Sequence, residues 1–208
     1  MKKSLLLLFI AVLLFFCTAC GNAEQSQSDQ QNPTQSDTTP MTGEVENNTY
    51  TNDYLGLSFT APDSFTFFGK EALASLVGAD PELSVKEIAD TNGAAYALMA
   101  VDHTKEASVT LVYENLNITT GSTLSAQEYA DSIIKQGLNQ TDNSILQEET
   151  EIKLGEHTYY KIRILINDPN KPLFKTHYLR LVDNYMVQIT ASVPTGFTTS
   201  FDFDSMFK

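Results

Sequence analysis

The chain has 208 residues and carries 13 basic and 26 acidic side chains, which gives a formal net charge of −13 at pH 7. A surface of this sign repels the phosphate backbone of nucleic acids, so the composition argues against nucleic-acid binding. It also argues against attachment to anionic lipid headgroups through basic residues.

The first 19 residues have the organisation of a secretory signal peptide. Lys2 and Lys3 form a positive start, residues 5–16 are apolar without interruption, and small residues precede Cys20. The apolar stretch is shorter than the ~20 residues that span a bilayer as a helix. Cleavage before Cys20 would leave 11 basic residues, 26 acidic residues and one cysteine, hence a net charge of −15 and no internal disulfide.

The segment around the cleavage site resembles a bacterial lipobox. Thr18, Ala19, Cys20 and Gly21 match its pattern, whereas Cys17 stands where leucine is usual. The resemblance implies that Cys20 is diacylated and anchors the mature protein to the extracellular face of the cell membrane. Two acyl chains are about what stable anchoring requires. The alternative is simple secretion with an unmodified Cys20.

A polar segment follows the cysteine. Residues 21–46 are rich in Gln, Ser, Thr, Asn and Asp and contain no lysine, arginine or aromatic residue. Such a composition buries too little apolar surface to offset the entropy of ordering. The predicted organisation is therefore a signal peptide at 1–19, a lipidated cysteine with a disordered tether at 20–47, and one domain at 48–208.

Short alternating strands and one helix are predicted for the first part of this domain. Strands are expected at residues 50–52, 57–60 and 65–67, followed by a helix at 69–77. Residues 81–89 are either one or two further helical turns or a loop. Residues 94–101 are apolar throughout, which is typical of a strand that is buried on both faces. The next strand is expected at 108–114.

The second part contains the clearest helix. It is predicted at residues 126–138, because Ser125 and Glu128 form a capping box and Leu124 and Tyr129 are spaced as a hydrophobic staple. Strands are expected at 150–154, 158–166, 174–182 and 185–193, and a short closing helix that presents Phe201 and Met206 is expected at 198–207. This order predicts an α+β domain with a mostly antiparallel sheet and helices packed on it.

Residues 52–65 (NDYLGLSFTAPDSF) resemble the opening of many small lipoproteins of Gram-positive bacteria. Ser64 and Phe65 stand where those proteins usually have Gly and Trp. The order of the elements that follow is similar to the PsbP-like fold, an α/β/α sandwich around an antiparallel sheet. The resemblance implies a scaffold for protein or ligand binding, usually without catalysis, and it transfers no functional residue.

The residues offer no catalytic, metal or cofactor motif. His103, His157 and His177 lack the i, i+4 spacing of a zinc pair, and each is expected to be solvated. No nucleophile elbow, phosphate loop or dinucleotide fingerprint occurs. The leading hypothesis is a membrane-anchored, non-catalytic envelope lipoprotein that binds a partner protein or a cell-wall component. The alternative is an envelope hydrolase with an unrecognised site.

Basic and aromatic residues gather late in the chain. The set that we call the basic strip consists of Tyr159, Lys161, Arg163, Lys175, His177 and Arg180. On an acidic protein, such a strip predicts a docking surface for an anionic partner protein or wall polymer. The competing interpretation is a solvated sheet face whose charges balance nearby acids.

Overall fold

The structure, a computed structural model, describes residues 41–140 and 144–208. Its strands are, in chain order, β1 (Glu44–Glu46), β2 (Thr49–Asn52), β3 (Leu57–Thr60), β4 (Thr66–Phe67), β5 (Ala94–Asp102), β6 (Ala107–Asn115), β7 (Ser144–Leu154), β8 (His157–Ile166), β9 (Leu173–Val182) and β10 (Tyr185–Pro194). Its helices are α1 (Lys70–Ser75), α2 (Val85–Asn92), α3 (Leu116–Thr119), α4 (Ala126–Gln140) and α5 (Phe203–Met206), with a 3₁₀ helix at Thr195–Ser200. The signal peptide, Cys20 and the tether up to residue 40 lie outside the described residues.

The strands form two antiparallel sheets. The main sheet has the order β4-β5-β6-β10-β9-β8-β7, and a smaller sheet has the order β1-β2-β3. Every observed pairing is antiparallel. Tight turns join β7 to β8 and β9 to β10, where Gly155 and Asp183 take positive φ angles of 57° and 54°. The α+β prediction with a mostly antiparallel sheet is confirmed.

Both faces of the main sheet are buried, because successive side chains along its strands pack into two clusters on opposite sides. On the first face, residues such as Tyr113 and Ile189 pack with the small sheet, α1, α2 and the C-terminal segment. On the second face, residues such as Ile162 and Leu179 pack beneath α4. Helices therefore cover both sides of an antiparallel sheet.

Two helices begin with the same side-chain cap. In the predicted cap of α4, the Ser125 amide donates to Glu128 Oε2 at 2.8 Å and the Glu128 amide donates to Ser125 Oγ at 3.2 Å. The same arrangement joins Ser84 and Glu87 at the start of α2. This second capping box was present in the sequence, and it places a helix where the prediction allowed a loop.

The predicted boundary of the domain is too late. Strand β1 lies inside the segment assigned to the tether, and Met41 is buried. The polar composition of this segment does not indicate a strand, because β1 is held by its pairing with β2 and needs few apolar side chains. Asn47 and Asn48 form the connecting turn with φ angles of 46° and 59°, which is the conformation that two-residue hairpins favour.

The C-terminal segment closes the first face. Phe201, Phe203 and Phe207 are buried, and the 3₁₀ helix and α5 replace the single helix predicted at 198–207. Two backbone hydrogen bonds of 2.7 and 2.9 Å join Ser58 to Lys208, so the last residues extend the edge of the small sheet. The packing of these aromatic side chains ties the chain end to β3.

A buried ion pair fastens α5 to the main sheet. Lys161 is only 7% exposed, and its Nζ lies 2.7 Å from Asp204 Oδ2 and 3.2 Å from Glu148 Oε1. Tyr178 Oη donates a hydrogen bond of 2.5 Å to the other oxygen of Asp204. Burial alone would lower the pKa of Lys161, but the Asp204 and Glu148 carboxylates outweigh it and raise the pKa, so the ammonium stays charged.

We expect Lys161→Met to lower the free energy of unfolding by about 1–3 kcal/mol, since it leaves Asp204 and Tyr178 without the cation that they face. Urea denaturation of the chain from Gly21 to Lys208 measures the loss. The matched control is Lys171→Met, because Lys171 pairs with Glu106 at 2.7 Å in an exposed ion pair. That substitution should cost less than about 1 kcal/mol. Equal losses in the two variants would contradict the structural role of Lys161.

Candidate functional site

An apolar cleft opens on the first face of the main sheet. Its volume is about 370 Å³. Its wall combines the start of the small sheet, β4, β5, α1 and α2. The lining residues are Thr42, Gly43, Val45, Tyr50, Phe67, Phe68, Gly69, Lys70, Leu73, Ala74, Leu83, Val85, Ile88, Tyr96, Ala97 and Leu98. Small-molecule sites in proteins have volumes of about 300–1,000 Å³ and mostly apolar walls, and this cleft meets both criteria.

The cleft owes its shape to the sequence of its walls. Strand β5 shifts register between Tyr96 and Leu98, so the extra residue Ala97 breaks the regular alternation beside the cleft. Gly43 lies directly on the ring of Tyr50, and a Cβ there would come within 2.3 Å of the Tyr50 Cζ atom. Only glycine lets the segment before β1 approach the ring this closely, so Gly43 helps to form one wall.

The lining contains a single charged residue, Lys70 at the start of α1, and this side chain is exposed. Tyr50 is buried, and burial raises its pKa to about 12 despite opposing hydrogen bonds from Asn52 and the Gly43 backbone. The phenol therefore remains neutral at physiological pH. The interior of the cleft is uncharged, with one cation in its lining.

The described lining of the cleft offers mainly apolar contact surface. Acid–base or nucleophilic chemistry needs convergent titratable groups within hydrogen-bond reach, and the lining brings none together. Within residues 41–140 and 144–208, no group of three or more His, Cys, Asp or Glu side chains could hold a metal ion. In the same residues, no helix is long and apolar enough to span a membrane.

The basic strip does not form one surface. Strand pairing sets Lys161 opposite Tyr178 and His177 opposite Ile162. Tyr159, Lys161, Arg163 and Arg180 consequently belong to the first face of the main sheet, whereas Lys175 and His177 belong to the second face. The assumption of a single strip is wrong, because β9 contributes alternate residues to opposite faces. The docking role of the residues on each face stays a prediction.

Packing inside the protein engages several residues of the basic strip. Tyr159 is 1% exposed, and the Arg180 guanidinium lies 5.8 Å from the centre of its ring. The Arg163 guanidinium lies 4.3 Å from the ring centre of Phe174. Among the described residues, Tyr159 Oη, Arg163 Nε and Arg180 Nη1 are buried atoms without a hydrogen-bond partner. These side chains contribute to packing on the first face, which is a role that their charges did not predict.

His177 departs from the expectation of a solvated histidine. It is 8% exposed, and its Nδ1 lies 3.1 Å from both Thr190 Oγ1 and Gln188 Nε2. Burial, and secondarily the charge of Lys175, lower its pKa to about 3, so the imidazole is neutral at physiological pH. His103 is exposed, as expected, and His157 is half-buried. Asp102, beside His103, accepts hydrogen bonds from Ser64 and Thr104 and thereby stabilises the β5–β6 turn.

The cleft residues could not be identified from the sequence, because no motif joins them. They come from separate segments between residues 42 and 98, and each segment has the composition of an ordinary hydrophobic core. The usable local signals were the Ser84–Glu87 capping box of α2 and the Asn47-Asn48 turn. Together these would have indicated additional elements on the first face, although not a cleft between them.

Comparisons with known proteins give distant likenesses of fold. No family model matches the chain, and no curated protein matches it. The solution structure of CyanoP, the cyanobacterial PsbP of Synechocystis sp. PCC 6803, aligns with a TM-score of 0.45 and 11% identity over 86% of this chain and 97% of that one. A crystal structure from Bacteroides thetaiotaomicron VPI-5482 aligns with a TM-score of 0.33 and 11% identity over 73% of this chain and 44% of that one. Neither likeness assigns an activity or a ligand to this protein.

Proposed function

We propose that this protein is a lipid-anchored, non-catalytic binding module on the extracellular face of a bacterial cell membrane. The bound molecule is the apolar part of a small membrane or cell-wall component. The observation that carries the proposal is the cleft of about 370 Å³, whose lining is apolar apart from Thr42, Lys70 and the hydroxyl groups of Tyr50 and Tyr96.

The anchor is supported by the order of features at the N-terminus. A positive start, an apolar stretch and small residues before Cys20 fit export followed by lipidation. The charge of the mature chain gives no alternative means of attachment to anionic lipids, since acidic residues outnumber basic ones by 26 to 11. Membrane attachment therefore depends on Cys20 in this proposal.

The binding role is supported by the make-up of the cleft. Aromatic and aliphatic side chains from both sheets and two helices meet around an open space, which offers an apolar ligand removal from water on several sides. Burial of apolar surface contributes roughly 25 cal/mol per Å², so even a small ligand gains several kcal/mol. Because the titratable groups of catalysis do not converge there, retention of a ligand is the function that this geometry supports best.

Replacing Cys20 tests the anchor. We expect Cys20→Ala to release the protein from membranes or to leave an unprocessed precursor, because no residue remains to carry the acyl chains. Cell fractionation, combined with labelling by an alkyne analogue of palmitate, measures both outcomes. Cys17→Ala is the matched control and should retain label and membrane attachment. A Cys20→Ala variant that is processed normally and stays in the membrane would refute the anchor.

An uncharged fluorescent probe tests the cleft. N-phenyl-1-naphthylamine should bind the chain from Gly21 to Lys208 with a dissociation constant on the order of 10 µM, with a rise in fluorescence. Leu73→Trp should weaken binding at least about tenfold, because the indole occupies space inside the cleft that an apolar ligand would fill. Ile118→Trp, at an exposed position outside the lining, is the control and should bind as the unmodified protein does.

Both tryptophan variants must first show an unchanged urea midpoint, so that weaker binding reports the cleft and not unfolding. Equal probe binding by Leu73→Trp and the unmodified protein would exclude the cleft as the binding site. An absence of probe binding to the folded, unmodified protein would count against the function itself.

A further inference from the structure

We infer that the cleft binds the hydrocarbon chain of a single-chain amphiphile from the surrounding membrane, with the anionic headgroup of that molecule held at Lys70. The inference rests on the proposed function and specifies the chemical class of its ligand.

The apolar and charged groups of the cleft are separated from each other, as the two ends of an amphiphile are. Leu73, Leu83, Val85, Ile88 and Leu98 present aliphatic surface from α1, the segment before α2, α2 itself and β5. The only charged lining residue is exposed, so the charge lies where the cleft meets water. A ligand with an apolar body and a charged end matches this distribution better than a uniformly apolar or uniformly polar molecule does.

The sign of the charge selects an anion. Lys70 forms no ion pair within residues 41–140 and 144–208, whereas Lys86, Lys161 and Lys171 each pair with an acid. Glu71 follows Lys70 in the sequence and the Glu87 carboxylate interacts with the charge of Lys70, but neither contributes to the lining. Glu87 is engaged in the capping box with Ser84. On a strongly acidic protein, a cation at an apolar opening is the local exception, and it favours a carboxylate or phosphate headgroup.

The size of the cleft restricts the apolar part. A volume of about 370 Å³ lies at the low end of the range for small-molecule sites, which suits one hydrocarbon chain and not the two chains of a phospholipid. The chain's own preceding segment is an unsuitable occupant. Residues 21–40 contain only Ala23, Pro33 and Pro40 as apolar residues, and none can fill a space lined by phenylalanine and leucine.

The position of the cleft in the chain fits a membrane source. The lining begins at Thr42, only 22 residues after the proposed anchor at Cys20. Even a fully extended chain of 22 residues spans at most roughly 75 Å, which limits the distance between the cleft and an anchor at Cys20. Amphiphiles that leave the same membrane are therefore the ligands most accessible to it.

The test compares headgroups on one chain length, with the protein from Gly21 to Lys208. Decanoate, 1-decanol and decylammonium, each kept monomeric in solution, compete with N-phenyl-1-naphthylamine for the cleft. Decanoate should displace the probe at a concentration about fivefold lower than decylammonium does, which is the size of effect expected of an exposed ion pair. Lys70→Gln should weaken decanoate about fivefold more than it weakens the uncharged probe or decanol. Lys70→Glu should reverse the preference between decanoate and decylammonium.

Lys135→Gln is the matched control, because Lys135 is an exposed lysine of α4 outside the lining, and it should leave all three affinities unchanged. Equal affinities of Lys70→Glu and the unmodified protein for decanoate would overturn the inference while leaving apolar binding intact. Failure of the uncharged probe and of all three decyl compounds would instead remove the proposed function. Binding of the protein to phosphatidylglycerol vesicles that depends on Lys70 would indicate docking on the membrane surface and would also overturn the inference.

Discussion

The cleft depends on one buried amide, that of Asn52. This side chain is fully buried, and its Nδ2 lies 3.0 Å from the Met41 carbonyl, 2.8 Å from Tyr50 Oη and 3.2 Å from Tyr113 Oη, while its Oδ1 accepts a hydrogen bond of 3.0 Å from the Leu55 amide. A buried amide without partners would cost several kcal/mol, so the N-terminal segment, the small sheet and β6 are held in one arrangement. The wall of the cleft from Thr42 to Tyr50 is a consequence of that arrangement.

Burial of both faces of the main sheet determines where the positive charges lie. A main sheet that buries both faces leaves few exposed positions on its inner strands, and two basic residues of β8 contact other side chains inside the protein. Lys161 is committed to Asp204, and Arg163 packs on Phe174. Lys70 differs, because it stands on a short helix at the opening of the cleft and forms no ion pair among the described residues. Its availability, more than the number of charges elsewhere, gives the proposed ligand its sign.

Local signals in the sequence were sufficient for most of the fold. Period-two alternation located β8, β9 and β10, and the Ser125–Glu128 capping box located α4, because both signals act between residues a few positions apart. Long-range features were not accessible in this way. The partner of Lys161 lies 43 positions away at Asp204, and the burial of His177 depends on how neighbouring strands and layers assemble. The cleft belongs to the same category, since its walls become neighbours only after the small sheet packs on the main sheet.

We propose that ligand binding takes place in the cleft and not on the faces formed by β8 and β9. Mapping amide chemical shifts of the chain from Gly21 to Lys208 by NMR, during titration with N-phenyl-1-naphthylamine, tests it most directly. We expect saturable shifts at Gly43, Leu73, Ile88 and Leu98, with the amides of residues 159–180 unchanged. Shifts centred on residues 159–180, with the cleft amides unperturbed, would contradict it.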